Sequence, residues 1–133
     1  MKTALSLALP LASFALSACA TFAEPPPAPQ DGIARAALGE RVYVDGPQVT
    51  PLQVLEDSRC PKNVRCVWAG RVRLSVRIDL GSGSEMREIA TDRPIQVADG
   101  QLALVEVRPD RVAGEGAPEP EPYRFGFTFA GGI

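Results

Sequence analysis

"RVRLSVRIDL", residues 71–80, is the stretch that decides the fold. Apolar and polar side chains alternate along it without a break. The apolar set that falls on one face is Val72, Leu74, Val76, Ile78 and Leu80. Successive side chains of a β-strand point to opposite faces, and this alternation is typical of a strand with one buried and one solvated face. We therefore predict a half-buried strand over residues 71–80.

Shorter runs on both sides of this stretch also predict strands. Each is rich in β-branched or aromatic residues and is bounded by Gly, Pro or Asp. They cover residues 41–44, 49–55, 64–68, 85–90, 102–108 and 123–130. "GSGS", residues 81–84, predicts a hairpin loop, and no window after residue 36 has a sustained helical period. We expect an all-β fold, a small antiparallel β-sandwich or barrel of about seven strands.

The first 18 residues predict a lipoprotein signal peptide. Lys2 precedes an apolar run that is too short to span a bilayer, and small residues follow it. The end of this segment, Leu16-Ser17-Ala18-Cys19, resembles the lipobox of bacterial lipoproteins, which implies that Cys19 is acylated and anchors the chain in a membrane. Ala20 is not the aspartate associated with inner-membrane retention, so we expect an outer-membrane lipoprotein that faces the periplasm. Ordinary cleavage after residue 20 or 23 would instead give a soluble periplasmic or secreted protein.

The rest of the chain predicts a spacer followed by one domain. Residues 19–36 contain "EPPPAPQ" and predict a flexible Pro-rich tether. Residues 37–133 are enough for a single β-domain with one modest core.

Composition excludes several classes of function. The chain has no histidine, which removes the usual general base, the commonest zinc ligand and the Ser-His-Asp arrangement. Without Lys2, 13 basic side chains face 16 acidic ones, a balance that gives no reason to expect a nucleic-acid partner. We predict a non-enzymatic protein with no metal and no cofactor.

Two cysteines, Cys60 and Cys66, remain once Cys19 is acylated. A disulfide is the favoured interpretation because export places both thiols in an oxidising compartment. In the chain-entropy model, a disulfide that closes so small a ring stabilises the fold by about 2 to 2.5 kcal/mol. A zinc site would need carboxylates to complete it, and a redox site lacks the usual C-x-x-C spacing. Trp68 shares the phase of Cys66 in the predicted strand 64–68, so we expect the indole to pack in the core beside the disulfide, with an exposed stacking platform as the alternative.

The segment around these cysteines also carries a resemblance. "EDSRCPKNVRCVWAGRVRL", residues 56–74, resembles the D-S-R-C-P-x-x-V-x-C-x-W-x-G segment of small uncharacterised bacterial lipoproteins and secreted proteins. The resemblance implies export and a shared scaffold, and it assigns no chemistry.

Basic residues are concentrated between residues 58 and 78, where no acidic residue occurs. Arg71, Arg73 and Arg77 share the outward face of the predicted long strand. They could simply pair with glutamates across strands, which would stabilise the fold little. They could also bind an anionic envelope component or an acidic protein surface through guanidinium groups.

Three functions remain open at this point. The first is a non-catalytic binding or structural role in the cell envelope. The second is inhibition of a hydrolase by the loop 60–66, with Lys62 and Asn63 at its tip. The third is catalysis by paired carboxylates, either Glu56 with Asp57 or Asp92 with Asp99. Adjacent acids on a strand point to opposite faces, which argues against the first of these pairs.

Overall fold

Eight antiparallel strands form the domain in the computed structural model, which describes residues 29–114 and 122–131. The strands are β1 (Ala34–Ala37), β2 (Val42–Tyr43), β3 (Gln48–Asp57), β4 (Val72–Leu80), β5 (Gly83–Ala90), β6 (Ile95–Val97), β7 (Gly100–Arg108) and β8 (Arg124–Gly131). One sheet has the order β1-β8-β7-β6 and the other the order β2-β3-β4-β5. The two sheets pack face to face, and the predicted small antiparallel β-sandwich is confirmed.

The core lies between the two sheets and is built by alternation along the strands. Val72, Leu74, Val76 and Ile78 of β4 are completely buried, as the pattern of "RVRLSVRIDL" predicts. Phe125 and Phe127 of β8 are completely buried in the opposite sheet. Burying a side chain of this size contributes about 1.5 to 3 kcal/mol, so these alternating positions supply much of the driving force for folding.

The β3–β4 pair forms the centre of the second sheet and positions the candidate site. Its register runs from Gln48 opposite Asp79 to Asp57 opposite Val72, with two irregularities in β3 between Pro51 and Gln53 and between Val54 and Glu56. A proline cannot donate a ladder hydrogen bond, which is consistent with a bulge beside it. Both strands continue past their last pair, Asp57 with Val72, into the loop 58–71, which extends from this end of the sandwich.

Two details differ from the prediction, and one part of it lies outside the described residues. β1 and β6 are additional short strands, and β1 begins at Ala34, so the ordered domain starts three residues before the predicted boundary at residue 37. Residues 64–68 form bends and irregular backbone instead of the predicted strand. Cys19, the predicted signal peptide and residues 19–28 of the predicted tether lie outside the described residues.

Candidate functional site

The loop 58–71, which we call the β3–β4 hairpin extension, continues the ladder of the two strands. The amide of Ser58 donates to the carbonyl of Arg71 at 2.9 Å, and the amide of Cys60 donates to that of Ala69 at 3.1 Å. Arg71 returns a backbone N–H to the Ser58 hydroxyl at 3.1 Å. The predicted disulfide between Cys60 and Cys66 is present, with its Cα atoms 5.8 Å apart. The extension is therefore closed by hydrogen bonds at its base and by a covalent ring at its tip.

Gly70 lets the two arms of the extension approach each other. Its φ of 70° lies in the left-handed region that favours glycine. A Cβ at this position would overlap the carbonyl oxygen of Ser58 and come within 2.9 Å of the Arg59 Cα. No other residue fits here without moving the backbone of one arm.

The ring is also fastened to residues 109–113, which follow β7 and which we call the strap. The side-chain amide of Asn63 donates to the carbonyl of Ala113 at 2.6 Å and accepts the Ala113 amide at 2.9 Å. The amide of Lys62 donates to the carbonyl of Arg111 at 2.9 Å, and its ammonium pairs with Asp110 at 2.5 Å. Lys62 and Asn63 are exposed at the loop tip, but their polar groups already have partners within the fold.

A charged cluster at the base of the extension connects the two sheets. Arg59 donates two hydrogen bonds to Asp57, each of 2.9 Å, and a third of 3.0 Å to the carbonyl of Val107 in β7. The Tyr123 hydroxyl donates to the same carboxylate at 2.8 Å. Arg59, with a smaller contribution from Tyr123, lowers the pKa of Asp57 from 3.8 to about 2. Burial and the neighbouring Asp57 carboxylate raise the pKa of Tyr123. These contacts stabilise the base of the extension.

Trp68 does not pack in the core, and the prediction that it does is wrong. Its side chain is 82% exposed and that of Val67 is 91% exposed. The physical reason is that Cys60 contacts two residues of the returning arm, Ala69 through its backbone amide and Cys66 through the disulfide. The residues between Cys66 and Ala69 therefore leave the ladder, and the backbone bends at Val67 and Trp68. The strand phase that pointed the indole inward is lost at this bend.

The three arginines of the predicted patch lie in two places. Arg71 and Arg73 share Glu56, with N–O distances of 3.3 and 3.2 Å, and Arg73 also pairs with Glu88 at 2.6 Å. Arg77 pairs separately with Asp79 at 3.1 Å. The arginines contact acids on the same sheet, and only Arg71 and Arg73 form one cluster.

The two carboxylate pairs that could serve catalysis have different surroundings. Glu56 faces Arg71 and Arg73, whereas Asp57 faces Arg59 and Tyr123, so their side chains serve separate clusters. Among residues 29–114 and 122–131, no group of three or more Cys, Asp or Glu could hold a metal ion. Asp92 follows β5, and Asp99 lies in the turn between β6 and β7.

No protein-family model, curated protein or solved structure matches this chain. Within the part of the chain that the structure describes, no helix is long and apolar enough to cross a membrane. The geometry of the hairpin extension is therefore the basis for assigning a function.

Proposed function

We propose that this chain is a non-catalytic binding protein of the cell envelope and that it binds its partner with Val67 and Trp68, which lie on the hairpin extension just after the ring 60–66. The observation that carries the proposal is the exposure of Val67 and Trp68, at 91% and 82%, on a loop that is fastened in several ways. Tryptophan is enriched among the residues that dominate protein interfaces. An adjacent pair of apolar side chains with almost no contacts in its own fold is suited to burial in a partner.

The bracing of the loop supports the same proposal on energetic grounds. Binding by a mobile loop costs about 0.5 to 1.5 kcal/mol for each side chain that becomes ordered. Here the disulfide, the Cys60–Ala69 hydrogen bond and the two Asn63–Ala113 hydrogen bonds order the backbone before any partner arrives. The cost of ordering the loop backbone is therefore met in folding, and the indole contributes to affinity when it becomes buried in the partner.

The proposed location rests on the sequence and on the chemistry of the cysteines. The lipobox ending in Cys19 supports a lipid-anchored protein, and a disulfide between Cys60 and Cys66 fits an oxidising compartment outside the cytoplasm. We place the protein at the outer membrane, facing the periplasm. A soluble periplasmic or secreted form remains the alternative.

The test is affinity capture from the protein's own membrane with the full-length chain as bait, followed by titration with the purified partner. Trp68→Ala should weaken the interaction at least tenfold, as is usual for a central aromatic residue. Tyr43→Ala is the matched control, because Tyr43 is also an exposed aromatic residue, at 62%, and lies in β2 away from the extension. Equal affinities for the wild type and Trp68→Ala would refute the proposal.

A hydrolase inhibitor is the second candidate, since inhibitors often present an ordered loop to an enzyme cleft. The observation that favours it is the closed ring 60–66 with its fastened backbone. Lys62 and Asn63 would have to leave Asp110 and Ala113 to contact the enzyme, so Val67 and Trp68 are the better-placed contact residues. Assays against peptidases and cell-wall hydrolases test this candidate, and inhibition that survives both Trp68→Ala and a Lys62→Ala/Asn63→Ala double substitution would contradict it.

A further inference from the structure

An open cleft of about 540 Å³ lies beside the base of the hairpin extension, at the β5 edge of its sheet. Its lining residues are Arg71, Arg73, Glu88, Ile89, Ala90 and Arg93. The three arginines come from different elements: Arg71 precedes β4, Arg73 lies in it, and Arg93 follows β5. The fold therefore assembles a guanidinium cluster that is not visible as a run in the sequence.

Arg93 is held at the cleft by a tight turn. Its amide donates to the carbonyl of Ala90 at 3.1 Å. Two hydrogen bonds join this turn to the start of β4. The amide of Thr91 donates to the carbonyl of Val72 at 3.0 Å, and the Thr91 hydroxyl accepts a hydrogen bond from the Val72 amide at 3.2 Å. Three hydrogen bonds thus hold the backbone that carries Arg93.

The cleft lining is rich in arginine N–H donors. Three arginines and a single acid, Glu88, line it within the described residues, while Glu56 pairs with Arg71 and Arg73 and Asp92 lies beside Arg71. Arg93 forms no ion pair with any residue that the structure describes, and the nearest contact of Arg71 to Asp92 is 3.7 Å, longer than a hydrogen bond. Each guanidinium carries five N–H groups, so about a dozen donors in this cluster have no acceptor among residues 29–114 and 122–131. Arg73, with smaller contributions from Arg71 and Arg93, lowers the pKa of Glu88.

We propose that this cleft is a binding site for a phosphoryl group, held by Arg71, Arg73 and Arg93. Guanidinium groups bind phosphate oxygens in pairs, and three of them around one cavity match a tetrahedral oxyanion. The inference goes beyond the binding role proposed for Val67 and Trp68, because neither residue lines the cleft.

The test is a titration of the full-length protein with inorganic phosphate at constant ionic strength, followed by NMR of the arginine Nε–H and backbone amide signals. Saturable shifts should be confined to the cleft. Arg93→Gln should weaken phosphate binding at least about fivefold, and Glu88→Gln should strengthen it about threefold because it removes a repelling charge. Arg77→Gln is the matched control and should change nothing, since Arg77 pairs with Asp79 outside the cleft.

The two sources of the phosphoryl group are separated by a parallel titration with glycerophosphoglycerol, the head group of an anionic phospholipid. Tighter binding of this diester supports a lipid head group as the ligand, and tighter binding of inorganic phosphate supports a free phosphate or a monoester. Absence of saturable shifts with both probes would overturn the proposal, and so would equal weakening by Arg93→Gln and Arg77→Gln. Capture through Trp68 is measured separately, so either proposal can fail alone.

Discussion

Position 70 in the hairpin extension requires glycine, because of its backbone conformation and its close contact with the other arm. We expect Gly70→Ala to lower the free energy of unfolding by more than about 2 kcal/mol, because the new Cβ meets the Ser58 carbonyl and the residue must keep a positive φ. Gly32→Ala is the control, since Gly32 has nearly the same φ, 71°, and no atom within 4 Å of an added Cβ. It should cost only about 1 kcal/mol. Urea unfolding of both variants checks the prediction, and equal losses would refute the role given to the Ser58 contact.

Trp68 differs from the other large aromatic residues in what it contributes to folding. Trp68→Ala should change the free energy of unfolding by less than about 0.5 kcal/mol, because an 82% exposed side chain loses little contact. Phe125→Ala should cost about 3 to 5 kcal/mol, since Phe125 is completely buried. Thermal unfolding of the two variants makes the comparison. A large loss for Trp68→Ala would mean that the indole packs against the fold.

At the scale of elements, the extension and the strap form one unit through Asn63. Asn63→Ala removes both hydrogen bonds to Ala113, and we expect a loss of about 1 to 2 kcal/mol. Hydrogen exchange should show the Ala113 amide losing protection, while the β4 amides keep theirs. Asn63→Asp is the informative control, because it keeps the acceptor for the Ala113 amide and loses the donor. Unchanged protection of Ala113 in Asn63→Ala would contradict the strap.

The elements show which parts of the fold the sequence could predict. β4 was predictable because its five apolar positions repeat with period two, and six of the seven predicted strands are present. β1, "ARAA", has no β-branched or aromatic residue, and β6 is only three residues long. The strand predicted at 64–68 is interrupted because Cys60 contacts both Cys66 and Ala69, and these contacts took precedence over local β-propensity.

At the scale of the whole molecule, the free energy of unfolding should decrease at low pH because Asp57 becomes protonated. Its pKa is lowered to about 2 in the fold, so its ionised form stabilises the protein above the ordinary value of 3.8, and this contribution is lost as the pH falls from about 4 to 2. We expect the loss to be roughly 1 to 2 kcal/mol. Urea unfolding between pH 2 and 7 should show it, and Asp57→Asn should flatten the curve in that range. Tyr123→Phe, which removes one donor to Asp57, should have a smaller effect. If the free energy of unfolding of Asp57→Asn fell with pH as steeply as that of the wild type, Asp57 would not be the cause of the acid sensitivity.

The candidate sites depend on contacts between distant parts of the chain, and this limits what could be predicted of them. The sequence placed Arg71, Arg73 and Arg77 on one strand face, but it could not show that Arg93 joins the first two across a turn. Nor could it show that residues 109–113 occupy the polar groups of Lys62 and Asn63. The disulfide could be predicted because the inference needs only two available cysteines and an oxidising compartment.

The ring 60–66 has a consequence for proteolysis. Lys62 and Arg65 are exposed within it, so a trypsin-like enzyme that reached this loop could cut the chain there. The two fragments would stay joined by the sulfur bridge, and they would separate on a gel only after reduction. A nicked molecule would thus keep both halves of its sandwich and both arms of the extension together, and cleavage at the exposed tip would not by itself release the domain.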